Sequence, residues 1–76
     1  MPAYEVGQKV RYKAIGGPES NTPTSVGTIM SVATEPRRMS GHNVQASEED
    51  PRYEIKNEHT GKKSAIFEAN IIELAT

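Results

Sequence analysis

The chain has 76 residues, with 9 basic and 10 acidic side chains, a formal charge of −1 and no cysteine. Near-neutral charge argues against a dedicated nucleic-acid binder, whose affinity rests on basic excess, and the missing cysteines close off disulfides and thiolate zinc sites as sources of stability. No apolar run approaches the ~20 residues of a membrane span, and Met1-Pro2-Ala3-Tyr4-Glu5 lacks the features of a secretory signal or a myristoylation site, so a monomeric intracellular protein, cytoplasmic or nuclear, is expected.

In chain order, Gly7 to Ala14 alternates: Val10, Tyr12 and Ala14 share one face and Lys9, Arg11 and Lys13 the other, as in a half-buried strand. Gly16-Gly17-Pro18-Glu19-Ser20-Asn21-Thr22-Pro23 breaks helix and strand alike and reads as a long loop continuing to Ser25. A second strand runs near Val26 to Thr34. Its Gly27 permits a sharp bend or a close backbone approach, and Ile29 and Met30 compete for the inward position around a bulge. From Glu35-Pro36 no periodic pattern returns until Arg52, so this stretch reads as the longest loop. Within it, Ser47 is placed to cap a short turn, with Glu48, Glu49 and Asp50 at the positive end and Pro51 blocking further helix.

Arg52–Asn57 is the third strand, with Tyr53 and Ile55 on one face and Arg52, Glu54 and Lys56 on the other. Thr60-Gly61 supplies the reversal into a fourth strand, Lys63–Glu68. Glu68-Ala69-Asn70 reads as one helical turn before a short closing strand, Ile71–Leu74. Together these elements predict one domain over residues 4–75. It is all-β, a small five-stranded SH3/Tudor-like barrel with one short helical turn before the last strand. Closure into a barrel suits a chain that can bury only about 60–65% of its unfolded surface. The expected core is Val10, Tyr12, Ile29, Val32, Tyr53, Ile55, Phe67, Ile71 and Leu74.

Four segments carry a family likeness: Val6-Gly7-Gln8-Lys9-Val10, Gly27-Thr28-Ile29, the spacing Val44-x-Ala46-Ser47-x-x-x-Pro51-x-Tyr53, and Thr60-Gly61-Lys62. Over roughly Tyr4 to Leu74 the chain resembles the Tudor domain of the hypervirulence-associated protein family, small fungal proteins with short bacterial relatives. The resemblance implies a Tudor-like barrel with a binding role and no established enzymatic activity. The family's name marks a virulence phenotype, not a mechanism, and no set of binding residues comes with it.

Arg37-Arg38 is the only adjacent arginine pair and sits in the longest loop beside Gly41 and His42, while Lys62-Lys63 forms a second positive cluster. Guanidinium groups grip phosphate in a bidentate fashion, and glycine lets backbone amides approach an anion. Arg37, Arg38, Gly41, His42, Lys62 and Lys63 are therefore the candidate site for a phosphorylated small molecule such as a nucleotide or NADPH, taken as a ligand with no cofactor required. No Gly-x-Gly-x-x-Gly or Walker-type loop is present. The competing reading is a solvated loop whose charge Glu35, Glu48, Glu49 and Asp50 partly neutralise.

A second functional reading is a Tudor-type reader of a methylated or other peptide, which needs an aromatic cage. Tyr12, Tyr53 and Phe67 are its candidates, although alternation also places all three in the core. A third reading is a structural protein that self-associates through a sheet edge. His42 and His59 fall in loops with no metal-ligand spacing, so neither metal binding nor catalysis is expected. Lys9, Arg11 and Lys13 are expected to pair with Glu54 or Glu73 across strands rather than to contact nucleic acid.

Overall fold

The computed structural model describes residues 3–14, 21 and 23–75; residues 15–20 and 22, most of the expected Gly16–Ser25 loop, lie outside the described residues. The strands are β1 (Lys9–Tyr12), β2 (Ser25–Ala33), β3 (Arg37–Met39), β4 (His42–Val44), β5 (Arg52–Asn57), β6 (Lys63–Phe67) and β7 (Ile71–Leu74). A 3₁₀ turn at Glu68–Asn70 stands immediately before β7, where the sequence places it. Five strands form one antiparallel sheet in the order β6-β5-β2-β1-β7, and β3 and β4 form a separate hairpin. The structure is thus all-β and barrel-like. Among the described residues no helix is long and apolar enough to cross a membrane.

β2 is the strand that curls the sheet. Its first four residues pair with β1, and from Gly27 onward it pairs with β5. Gly27 is needed where the two partners converge, because a Cβ there would sit 2.4 Å from the Lys56 carbonyl oxygen and 2.7 Å from Ile55 Cγ2. The register shifts between Ile29 and Ser31, making Met30 the bulge residue. The competition between Ile29 and Met30 is thereby resolved: Ile29 is buried and Met30 is exposed. A bulge moves every later side chain to the other face, so Val32 packs against the main core while Ala33 enters a second apolar cluster.

The main core contains Val10, Tyr12, Ile29, Tyr53, Ile55, Ile66 and Ile71, with Tyr4 and Val32 packed against it. Two expected core residues belong elsewhere. Phe67 is 43% exposed and Leu74 is 46% exposed. In β6 the inward position belongs to Ile66, which pairs with Tyr53, so alternation sends Phe67 to the opposite face. In β7 a register shift against β1 leaves Ile71 buried and the rest of the strand exposed. Ala14, expected on the inner face of the first strand, is also exposed.

Residues 35–51 are not one irregular loop. Arg37, Arg38 and Met39 pair with Val44, Asn43 and His42 in a tight hairpin. Met39 and Val44 turn inward onto Ala33, with Ala46 and Ala65 alongside, which makes a satellite core on the outer face of the β2-β5-β6 sheet. The segment then reaches β5 through the expected Ser47 turn, whose hydroxyl accepts the Asp50 amide at 3.0 Å. The reversal at Thr60-Gly61 is braced by Asn57, whose side-chain oxygen accepts the His59 and Thr60 amides. Lys9 pairs with Glu58 at 2.7 Å rather than with Glu54 or Glu73. Arg11 does stand opposite Glu73 in the β1-β7 register, whereas the Glu54 carboxylate accepts hydrogen bonds from Ser40.

Candidate functional site

Four of the described strands are paired on one side only, and two of these edges face the same cavity: β4, paired with β3, and β6, paired with β5. The cavity between β4 and β6 has a volume of about 330 Å³. The hairpin contributes Ser40, His42, Asn43 and Val44 to its lining, and the sheet contributes Arg52, Lys63, Ser64 and Ala65. No carboxylate is among these residues. Two permanent cations, an imidazole, two hydroxyls and an amide converge there, which is a donor-rich lining suited to an anion.

Arg52 is the distinctive member. Strand alternation puts it on the outer face of β5, where it is only partly exposed. Its guanidinium carbon lies 3.8 Å from the centroid of the Phe67 ring, a stacked cation–π contact that fixes the plane of the group. Its Nε is buried with no hydrogen-bond partner among the described residues. A buried donor without a partner is uncommon in folded proteins. The arginine is therefore oriented by a ring, uncompensated by an acid among the described residues, and directed at a cavity.

The hairpin wall is held by hydrogen bonds from its turn. Ser40 and Gly41 both have positive φ, 52° and 80°, as a two-residue I′ turn demands. Glu54 Oε2 accepts the Ser40 amide at 3.1 Å and the Ser40 hydroxyl at 3.0 Å, and Oε1 accepts the Ser31 hydroxyl at 3.5 Å. Arg38 closes the turn from its other side, donating to the Gly41 carbonyl at 3.3 Å.

The six residues of the phosphate reading divide in space. His42 and Lys63 line the slot. Arg37 and Arg38 line a separate, shallower depression with Pro36 and Gln45, and only Asn43 and Val44 are shared between the two. Gly41 forms the hairpin turn and lines neither. Lys62 also lines neither; its amide donates to the Thr60 hydroxyl. Arg52, Ser40 and Ser64 join the site without having been singled out in the sequence. A usable signal did exist for Arg52, an outward cation two positions from an outward acid on a strand preceded by a turn-rich segment, but it does not identify what covers that face.

The rings of the peptide-reading candidates do not share a rim. Tyr12 and Tyr53 are buried in the main core, and Phe67 is on the opposite face beneath Arg52. Tyr4 meets Tyr53 edge to face, with centroids 5.9 Å apart. The Tyr53 hydroxyl donates to Glu68 and accepts the Ala3 amide. Burial first, then that hydrogen bond to a carboxylate, push its pKa up to about 12. Burial also raises the Tyr12 hydroxyl, opposed by its hydrogen bond with Asn57.

Comparison with known proteins gives a consistent setting. The family profile described as hypervirulence associated proteins TUDOR domain matches residues 7–71. The chain is 44% identical over 71 residues to prl65 of Schizosaccharomyces pombe, covering 93% of this chain and 92% of that one; the relative carries primary metabolism in its name. No solved structure gives a significant match. Both walls of the slot lie inside the matched span.

Proposed function

The chain belongs to the hypervirulence-associated protein Tudor-domain family, and we propose that it is a non-catalytic binding module whose slot takes the phosphate of a small metabolite, a nucleotide or NADPH being the expected class. The observation that carries this reading is Arg52, stacked on Phe67 in a cavity lining that contains no carboxylate. An oxyanion in the slot draws on the Arg52 guanidinium together with Lys63 and His42 from either wall. A relative named for primary metabolism suits a small phosphorylated ligand. No catalytic step is assigned, because the lining holds no carboxylate to orient His42 as a base for the Ser40 or Ser64 hydroxyl. In this reading the link to metabolism and virulence runs through ligand binding.

Titration of inorganic phosphate, AMP and NADPH into isotope-labelled protein tests it. Saturable amide shifts are expected at His42, Val44, Ser64 and Ala65. Arg52→Gln and Lys63→Gln should each weaken binding by about 10- to 100-fold, the worth of one charge-assisted hydrogen bond. Lys63 is exposed, so its variant should keep the wild-type thermal midpoint. Arg37→Glu with Arg38→Glu should change the affinity far less. Loss of binding in that double variant with retention in Lys63→Gln would move the site to the shallower depression and overturn the slot.

A further inference from the structure

We propose that Glu54 is the positioning residue of the slot: through Ser40 it holds the hairpin wall at the height at which the anion donors converge. This rests on the slot being the ligand site. Among the described residues, the bonds from Glu54 are the hydrogen bonds that tie the β3-β4 hairpin to the five-stranded sheet. They fall on the residue that most needs them. Ser40 is the one described non-glycine residue with positive φ, a backbone conformation that side chains disfavour. Both of its donors, the amide and the hydroxyl, point to the same carboxylate oxygen. Ser40 itself lines the cavity, next to His42.

Glu54 has an otherwise unexpected setting. It shares the outer face of β5 with Arg52, two residues away, yet the arginine stacks on Phe67 and the acid bonds Ser40. The two groups that could neutralise each other are each committed elsewhere. Arg52 thus keeps its charge for a ligand while Glu54 fixes the opposite wall. The carboxylate lies behind Ser40 and does not line the cavity, so its charge opposes an anion while its hydrogen bonds assemble the site.

These two effects have opposite signs, which makes the role testable. Glu54→Gln keeps an oxygen acceptor for both Ser40 donors and removes the negative charge. Glu54→Ala removes both. If Glu54 acted only through charge, both variants would bind phosphate more tightly. Positioning predicts a split: Glu54→Gln binds inorganic phosphate and AMP as tightly as wild type or more so, and Glu54→Ala binds them about tenfold more weakly, the loss of a charge-assisted contact. Hydrogen exchange should separate this inference from the ligand reading. In Glu54→Ala the amides of Ser40, His42 and Val44 exchange faster than in Glu54→Gln, while those of Tyr53 and Ile55 keep their protection. Equal exchange in the two variants overturns the positioning role whatever the ligand. Normal exchange behaviour without any phosphate binding by wild type overturns the ligand reading alone.

Discussion

Tyr53 shows how much one side chain can carry in a small fold. Its ring fills the core, Tyr4 meets it edge to face, and its hydroxyl joins the Ala3 amide to Glu68. With its pKa raised from 10.0 to about 12, the folded state holds a proton that the unfolded chain releases sooner. The stabilisation is complete below pH 10 and is lost as pH rises through about 12. The thermal midpoint should accordingly drop across that window. Tyr53→Phe should cost about 1 kcal/mol at neutral pH, the net worth of a hydrogen bond, and should flatten the alkaline drop. Tyr12, raised in the same direction, keeps part of it. An alkaline profile identical in wild type and variant would show that Tyr53 does not carry the effect. At this scale the sequence is legible for residues whose environment follows from alternation alone, as for Tyr53 and Ile55. Phe67 was misplaced because alternation within Lys63–Glu68 leaves its parity open: the pairing of Tyr53 with Ile66 gives Ile66 the inward position, and a one-residue offset reverses every face.

At the level of elements, β2 determines what the others can do. Past its bulge at Met30 it serves both clusters, with Val32 packed against the main core and Ala33 in the satellite. Its glycine lets the β5 backbone come close. Gly27→Ala should cost about 3 kcal/mol or more, since a methyl group 2.4 Å from a carbonyl oxygen can be relieved only by moving backbone. A urea unfolding midpoint close to wild type would show that the two strands separate freely. The strands that follow a two-residue period, with the 3₁₀ turn between the last two, were legible to within two residues. The β3-β4 hairpin was not. Its strands have three residues each, its apolar members Met39 and Val44 are too few to establish a period, and its turn is Ser-Gly rather than Asn-Gly. The slot was half legible for the same reason: His42 and Lys63 could be named as candidates, but not the fold that brings them to Arg52.

Across the whole molecule, the two apolar clusters lie on opposite faces of the same sheet and differ in weight. Seven buried side chains hold the main core and three hold the satellite. Ile55→Ala should remove about 3 kcal/mol from global stability, a large part of the ~5–10 kcal/mol expected of so small a fold. Met39→Ala should instead loosen the hairpin alone. Native-state hydrogen exchange is expected to show faster opening at His42 and Val44, with Tyr53 and Ile55 nearly unaffected. Equal acceleration at both sets would mean that the hairpin and the sheet open as one unit.

The hairpin's slight attachment has an evolutionary consequence. Eight residues, Arg37 to Val44, supply one wall of the cavity while contributing only Met39 and Val44 to buried apolar packing. Descendants of one ancestral barrel can therefore exchange that short stretch and acquire a different ligand, with the chain's ability to fold passed on intact. Arg52 and Phe67 are under the opposite restraint, because they belong to strands that the sheet cannot give up. Divergence in specificity among relatives should be written first in the hairpin and only later in the strands beneath it.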